Sequence, residues 1–346
     1  MLMSVDDSQP VIVPASKKPD VLSEKMRRHL LKQQFKDNTH SIIKWKRIVA
    51  RNNKLASDGI PMEIHEKMKN FVGLDHVKQQ LASHFSLFRL NHLRVQYGLP
   101  EEPFNANMVF LGNPGTGKTT TAQVLGSLLK EAGVINKGHV VEITPNDIFD
   151  ESWCGTEIEK MKKKIEEAQG GILFIDEAHN FPEHAGSNTQ FWRNSITTLM
   201  KEMTATKNPN FVVILAGYEE GMNYLFRQEP GMNSRFPNAI HFPDYTDKEL
   251  AEIFKQQASQ SKYELEEGCQ EIIVKRLKTS PRRQAKDFGN ARFITNVFND
   301  TVKCLANRLV PVALPTKDDV STITLFDVNN AMNKAGATKK EKLSIE

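Results

Sequence analysis

Gly112-Asn113-Pro114-Gly115-Thr116-Gly117-Lys118-Thr119-Thr120 is the stretch whose residue types and spacing carry the clearest chemistry. A glycine, four residues of any type and then Gly-Lys-Thr is the pattern of a phosphate-binding loop. Its glycines let backbone N–H groups turn inward onto phosphate oxygens at a helix N-terminus, where the helix dipole also favours negative charge. Lys118 can reach the β- and γ-phosphates of a nucleotide, and the Thr119 hydroxyl can ligate Mg²⁺. A second stretch, Ile172-Leu173-Phe174-Ile175-Asp176-Glu177, is an apolar run that ends in two carboxylates. Asp176, at the end of the run, is placed to hold Mg²⁺ through water. Glu177 can orient the attacking water or accept its proton. The pair therefore predicts ATP binding and Mg²⁺-dependent hydrolysis, with Lys118 and Glu177 in the chemistry. Asp176-Glu177-Ala178-His179 also spells the box of a helicase class, but the loop and its spacing differ from that class, and His179 is read as incidental.

These residues need a scaffold. Met108–Leu111 reads as a short buried strand ahead of the loop, and Thr119–Lys130 as the helix behind it. Ala122, Val124, Leu125, Leu128 and Leu129 recur there at helical spacing. Further strands are expected at 139–143, 172–175, 211–216 and 239–242, alternating with helices. That alternation predicts a parallel five-stranded α/β sheet covered on both faces. Beyond Asp247 the pattern becomes helical, at about 247–260, 267–279, 290–309 and 325–334. The expected organisation is a flexible tail over 1–20, a basic helical extension over 21–58, an α/β nucleotide-binding domain over 59–245, and a helical lid over 246–346.

Composition is ordinary for a water-exposed globular chain of 346 residues. The three cysteines, Cys154, Cys269 and Cys304, have neither disulfide nor zinc spacing and fit a reducing, cytoplasmic setting. No stretch approaches the roughly 20 apolar residues of a membrane span. Asp6 and Asp7, without a basic-then-apolar start, argue against a secretory signal. Residues 1–54 carry a formal +7 against +4 for the whole chain, so the basic character belongs to the N-terminal segment.

In their order, these and several shorter stretches resemble the AAA+ ATPases, and within them the CbxX/CfxQ group of sporulation-protein-K-like and Rubisco-activase-like ATPases. The resemblance covers roughly residues 70–335. It rests on Phe71-Val72-Gly73-Leu74, Gly170 to Ala178, Ala216-Gly217-Tyr218, Pro230 to Phe236, Phe242-Pro243-Asp244-Tyr245 and Gly289-Asn290-Ala291-Arg292. It implies that Val72 and Gly73 pack near adenine and that Arg292 contacts the nucleotide phosphates from the lid. It implies that Arg235 is an arginine finger reaching the nucleotide of a neighbouring subunit, in a homo-oligomeric, hexameric ring. Tyr218 stands where many members have Asn or Thr as a sensor, and either senses the water or packs. Glu229 and Asn233 also depart from the group's finger segment. The loop after the second strand implies a substrate-gripping aromatic, Trp153, with Phe149 as the alternative; both could instead pack.

Three functions follow from these readings. The first is a ring ATPase that remodels a protein substrate or complex. The second is a nucleic-acid motor or loader, motivated by the basic segment 17–54, whose binding would fall steeply with salt. The third is an ATP-controlled assembly switch with slow turnover. The client protein is not specified by any motif.

Overall fold

The computed structural model describes residues 61–336 apart from 101, 103, 150–155, 185–188, 206–209 and 286–287. The expected tail over 1–20 and basic extension over 21–58 lie outside the described residues, as does Trp153. Five parallel strands form the main sheet: β1 (Met108–Gly112), β2 (Val140–Ile143), β3 (Ile172–Ile175), β4 (Val212–Gly217) and β5 (Asn238–Phe242). Their order is β2-β3-β4-β1-β5, which places β1, the strand feeding the glycine loop, between β4 and β5.

The pleat sends successive side chains to opposite faces, and both faces are covered. Phe110, Phe174, Ile214 and Ile240 meet the helix Lys118–Glu131 through Leu125, Leu128 and Leu129, and the helix Asp75–Gln96 through Val77, Leu81 and Phe85. The residues between them, Val109, Leu173, Ile175, Val213 and Leu215, meet Met161 and Ile165 of the helix Glu157–Glu167. Trp192, Ile196 and Leu199 of the helix Thr189–Ala205 complete that side. Each such side chain contributes roughly 1.5–3 kcal/mol on full burial. That explains why the inner strands β3 and β4 lack a polar-facing register and read as continuous apolar runs, whereas the edge strands β2 and β5 expose Glu142 and His241.

The C-terminal part packs the helices Asp247–Gln260, Cys269–Thr279, Asn290–Leu309 and Leu325–Gly336. A reciprocal capping box starts the first of them: Thr246 accepts from Glu249 N, and Glu249 accepts from Thr246 N. The apolar cluster on the P-loop side of the sheet continues without interruption into this part through Leu250, Phe254 and Phe288. The helical expectation needs one correction. Two short parallel strands, β6 (Glu264–Leu265) and β7 (Thr322–Ile323), pair within it. Two residues are too few to show a period of two, so only the long-range pairing reveals them.

Candidate functional site

The loop between β1 and the helix Lys118–Glu131 turns on glycine. Gly115 and Gly117 have φ of 69° and 94°, in the left-handed region that costs glycine little. Lys118 is only 8% exposed. Its Nζ donates to the carbonyls of Gly112 at 2.9 Å and Asn113 at 2.8 Å, so the loop itself holds the ammonium. Burial lowers the Lys118 pKa, and the nearby Asp176 carboxylate is the largest influence opposing that shift. Thr116 is fully buried and donates to the Asn113 carbonyl at 2.8 Å, which braces the loop from inside.

Asp176 and Glu177 follow the last residue of β3. The Asp176 amide donates to the Ile143 carbonyl at 2.8 Å, continuing the β2–β3 ladder to the carboxylate. Asp176 Oδ1 accepts from the Glu177 amide at 2.9 Å. Glu177 itself sits at φ 51°, ψ 32°, a left-handed conformation unusual for a non-glycine residue. The chain turns sharply there into the short 3₁₀ turn Ala178–Asn180, and Asn180 Nδ2 donates to Glu177 Oε2 at 3.3 Å.

These two segments wall one cavity of about 490 Å³, a size suited to a nucleotide-scale ligand. Its phosphate-loop wall consists of Gly112, Pro114, Gly115, Gly117, Lys118, Thr119 and Thr120. Asp176 and Glu177 stand opposite, with Tyr218 from the end of β4, Arg292 from the lid and Val72 from the N-terminal approach. Thr119 and Asp176 therefore bring hard oxygen donors, the kind Mg²⁺ takes, to the same cavity. Three expected contacts do not line it. Thr116 is buried behind the loop, and the Asn113 amide is taken by Asp244 Oδ1 at 2.9 Å. Gly73, at φ 58°, lies against the Glu249 side chain, which would collide with any Cβ there.

Several lining residues carry no motif. Ile253, Gln256 and Gln260 lie three and four residues apart on one helix, so they share a face and reach the end of the cavity beside Asn70 and Phe71. His179, read as incidental from sequence, lies on the cavity wall. Its ring meets Tyr218 edge-on, with centroids 4.7 Å apart. Gly217 and Gly221 make room for it: a Cβ at either would come within 2.7 Å of His179. Helical spacing in the first case and the glycines in the second were visible in the sequence, but nothing local pointed them at a ligand.

Arg235 ends the short helix Gly231–Arg235 and is not among the residues lining this cavity. Its Nη1 donates to the Gly231 carbonyl at 2.9 Å, and its Nε is buried without a hydrogen-bond partner among the described residues. Glu229, just upstream, lies 3.4 Å from Arg193 Nε. Phe149 is half-buried and packs edge-on against Phe181 at 5.8 Å, the arrangement of a packing residue.

Residues 108–244 match the family described as "ATPase family associated with various cellular activities (AAA)", and residues 246–338 match the AAA lid domain. Stage V sporulation protein K of Bacillus subtilis is 34% identical over 82% of this chain and 87% of its own length. The chain belongs to the AAA+ ATPases. CbbX of Cereibacter sphaeroides is 32% identical over 82% of this AAA+ ATPase and 91% of its own length. The chloroplastic ribulose bisphosphate carboxylase/oxygenase activase of Cyanidioschyzon merolae is 30% identical over 75% and 88%. The expected CbxX/CfxQ kinship is thereby borne out. The FIGL-1 AAA domain, solved with ADP, shares the fold with a TM-score of 0.55 at 13% identity, covering 79% of this chain and 86% of that one. As an AAA+ ATPase the protein binds nucleotide and hydrolyses ATP. No helix among its described residues is long and apolar enough to cross a membrane.

Proposed function

We propose that this AAA+ ATPase works as a homo-oligomeric, hexameric ring that spends ATP on remodelling a protein substrate or complex. The observation carrying the reading is the division of the catalytic set. Lys118, Asp176, Glu177, Tyr218 and Arg292 share one cavity, whereas Arg235 stays outside it. A ring supplies the missing cation from the neighbouring subunit, the kind of contribution worth about 10³–10⁵ in turnover in related phosphoryl-transfer sites.

Within the cavity the loop N–H groups and Lys118 hold the phosphates. For Lys118 this means exchanging the carbonyls of Gly112 and Asn113 for phosphate oxygens. Thr119 and Asp176 would hold Mg²⁺, which would supply neutralisation of phosphate charge. Glu177 orients the attacking water and takes its proton. In this reading Tyr218, whose ring the His179 ring meets edge-on, hydrogen-bonds to that water. Val72 borders the base, and Arg292 contacts the phosphates from the lid. One relative is named for activating an enzyme, and that name is the support for a protein client.

Glu177→Gln tests both halves. The variant is expected to bind ATP at near wild-type affinity and to lose at least about a hundredfold in turnover, the scale of a lost general base. Affinity capture with this variant in ATP should retain a protein that ADP releases. Unchanged turnover refutes the role of Glu177, and the absence of any ATP-dependent client refutes remodelling.

A further inference from the structure

Asn290 opens the long lid helix Asn290–Leu309, two residues before Arg292. It is fully buried, with φ at 45°. Asn is among the few residues that tolerate that left-handed conformation. Its side chain is completely engaged. Nδ2 donates to Asp244 Oδ1 at 2.8 Å, to the Phe288 carbonyl at 3.2 Å and to the Pro114 carbonyl at 3.3 Å. Oδ1 accepts from the Tyr245 amide at 3.1 Å. One amide thus joins the phosphate loop, the exit of β5 and the approach to the lid helix.

The same junction is closed from two other sides. Asp244 Oδ1, the oxygen that Asn290 holds, also accepts from Asn113 of the phosphate loop at 2.9 Å. The Ala291 amide donates to the Gly115 carbonyl at 3.1 Å. Gly115 is so near the lid that a Cβ there would meet the Gly289 carbonyl and come within 2.9 Å of Arg292 N. These contacts are all between protein groups, so the loop and the lid helix are tied to each other directly.

We propose that Asn290 is a positioning residue for hydrolysis: by bonding Pro114 and Asp244 it fixes the start of the lid helix to the phosphate loop, and so sets where Arg292 stands over the nucleotide. The proposal rests on the reading of Arg292 as a phosphate contact. Asn290 touches no reacting atom. Its effect passes through Arg292 because only Ala291 separates them on the same helix, and a buried amide held at both ends leaves that helix start little freedom.

The test is a double-mutant cycle on the full chain with Asn290→Gly and Arg292→Ala. Glycine accepts φ 45° without strain, so Asn290→Gly removes the amide and leaves the backbone comfortable. Turnover, KM for ATP and melting temperature are measured for each variant and for the pair. Asn290→Gly is expected to lower kcat about tenfold, the scale of one well-placed buried hydrogen bond, with KM changed less than about threefold. In the double variant kcat should fall no further than in Arg292→Ala alone, since the two act through one contact. Losses that multiply, or a lowered melting temperature with wild-type kcat, overturn the proposal alone. Wild-type turnover in Arg292→Ala overturns the reading of Arg292 and the proposal with it. If Asn290→Gly does not fold, Asp244→Ala breaks the same bond from its other end, and its cycle with Arg292→Ala is read by the same outcomes.

Discussion

Glu177→Gly should stabilise the protein while abolishing its activity. Glu177 is held at φ 51°, ψ 32°, where a Cβ crowds the following carbonyl at a cost of about 1–2 kcal/mol. Glycine removes that cost but gives the unfolded chain more freedom, worth about 0.4–1 kcal/mol in the opposite direction. The side chain's one hydrogen bond among the described residues, from Asn180 at 3.3 Å, is long and exposed, and its loss matters little. The balance favours Glu177→Gly by about 0.5–1 kcal/mol, or about 0.7–1.4 °C in melting temperature for a chain of 346 residues. Glu177→Gln keeps both the Cβ and the strain and is the matched control. Thermal unfolding of the nucleotide-free variants measures the difference, and ATP turnover should be lost in both. A Glu177→Gly protein no more stable than Glu177→Gln would refute the argument that strain is held at this carboxylate for function.

Arg235→Ala should lower turnover by about 10³ or more with nucleotide affinity nearly unchanged, because Arg235 does not line its own cavity. Mixing Arg235→Ala with Glu177→Gln subunits should restore part of the activity, and a mixture as dead as its components would argue against a finger supplied in trans. Gly115→Ala would place a Cβ against the Gly289 carbonyl in a left-handed conformation, so it should weaken ADP binding at least about tenfold, measured by titration. The Glu63 carboxyl has its pKa pushed up to about 7, first by burial and then by the hydrogen bond and charge of Glu131. A raised folded-state value means that its stabilising contribution is present at low pH and is lost as pH rises through about 7. Glu63→Gln should therefore gain melting temperature relative to wild type between pH 5 and pH 8, and parallel profiles would contradict this.

Sequence by itself determined the sheet, the glycine loop and the two carboxylates. Strands covered on both faces must be continuous apolar runs, as at Ile172–Ile175 and Val212–Gly217, and a phosphate loop needs its glycines and lysine at fixed offsets. Those signals are local and survive in one dimension. Tertiary structure decided what the cavity gathers around them: the family resemblance names Tyr218, Arg292 and Arg235, but nothing local points to Gln256 or His179. Tyr218, Gln256 and Arg292 converge from three distant segments, and Arg235 is left outside. His179 gained its place from room left by Gly217 and Gly221, which only the packing of β4 against the turn after β3 creates. Asn290 bonds partners up to 176 positions away, and no periodicity or motif encodes such a contact. Local chemistry shows which residues can act, whereas burial and long-range hydrogen bonds determine which of them meet.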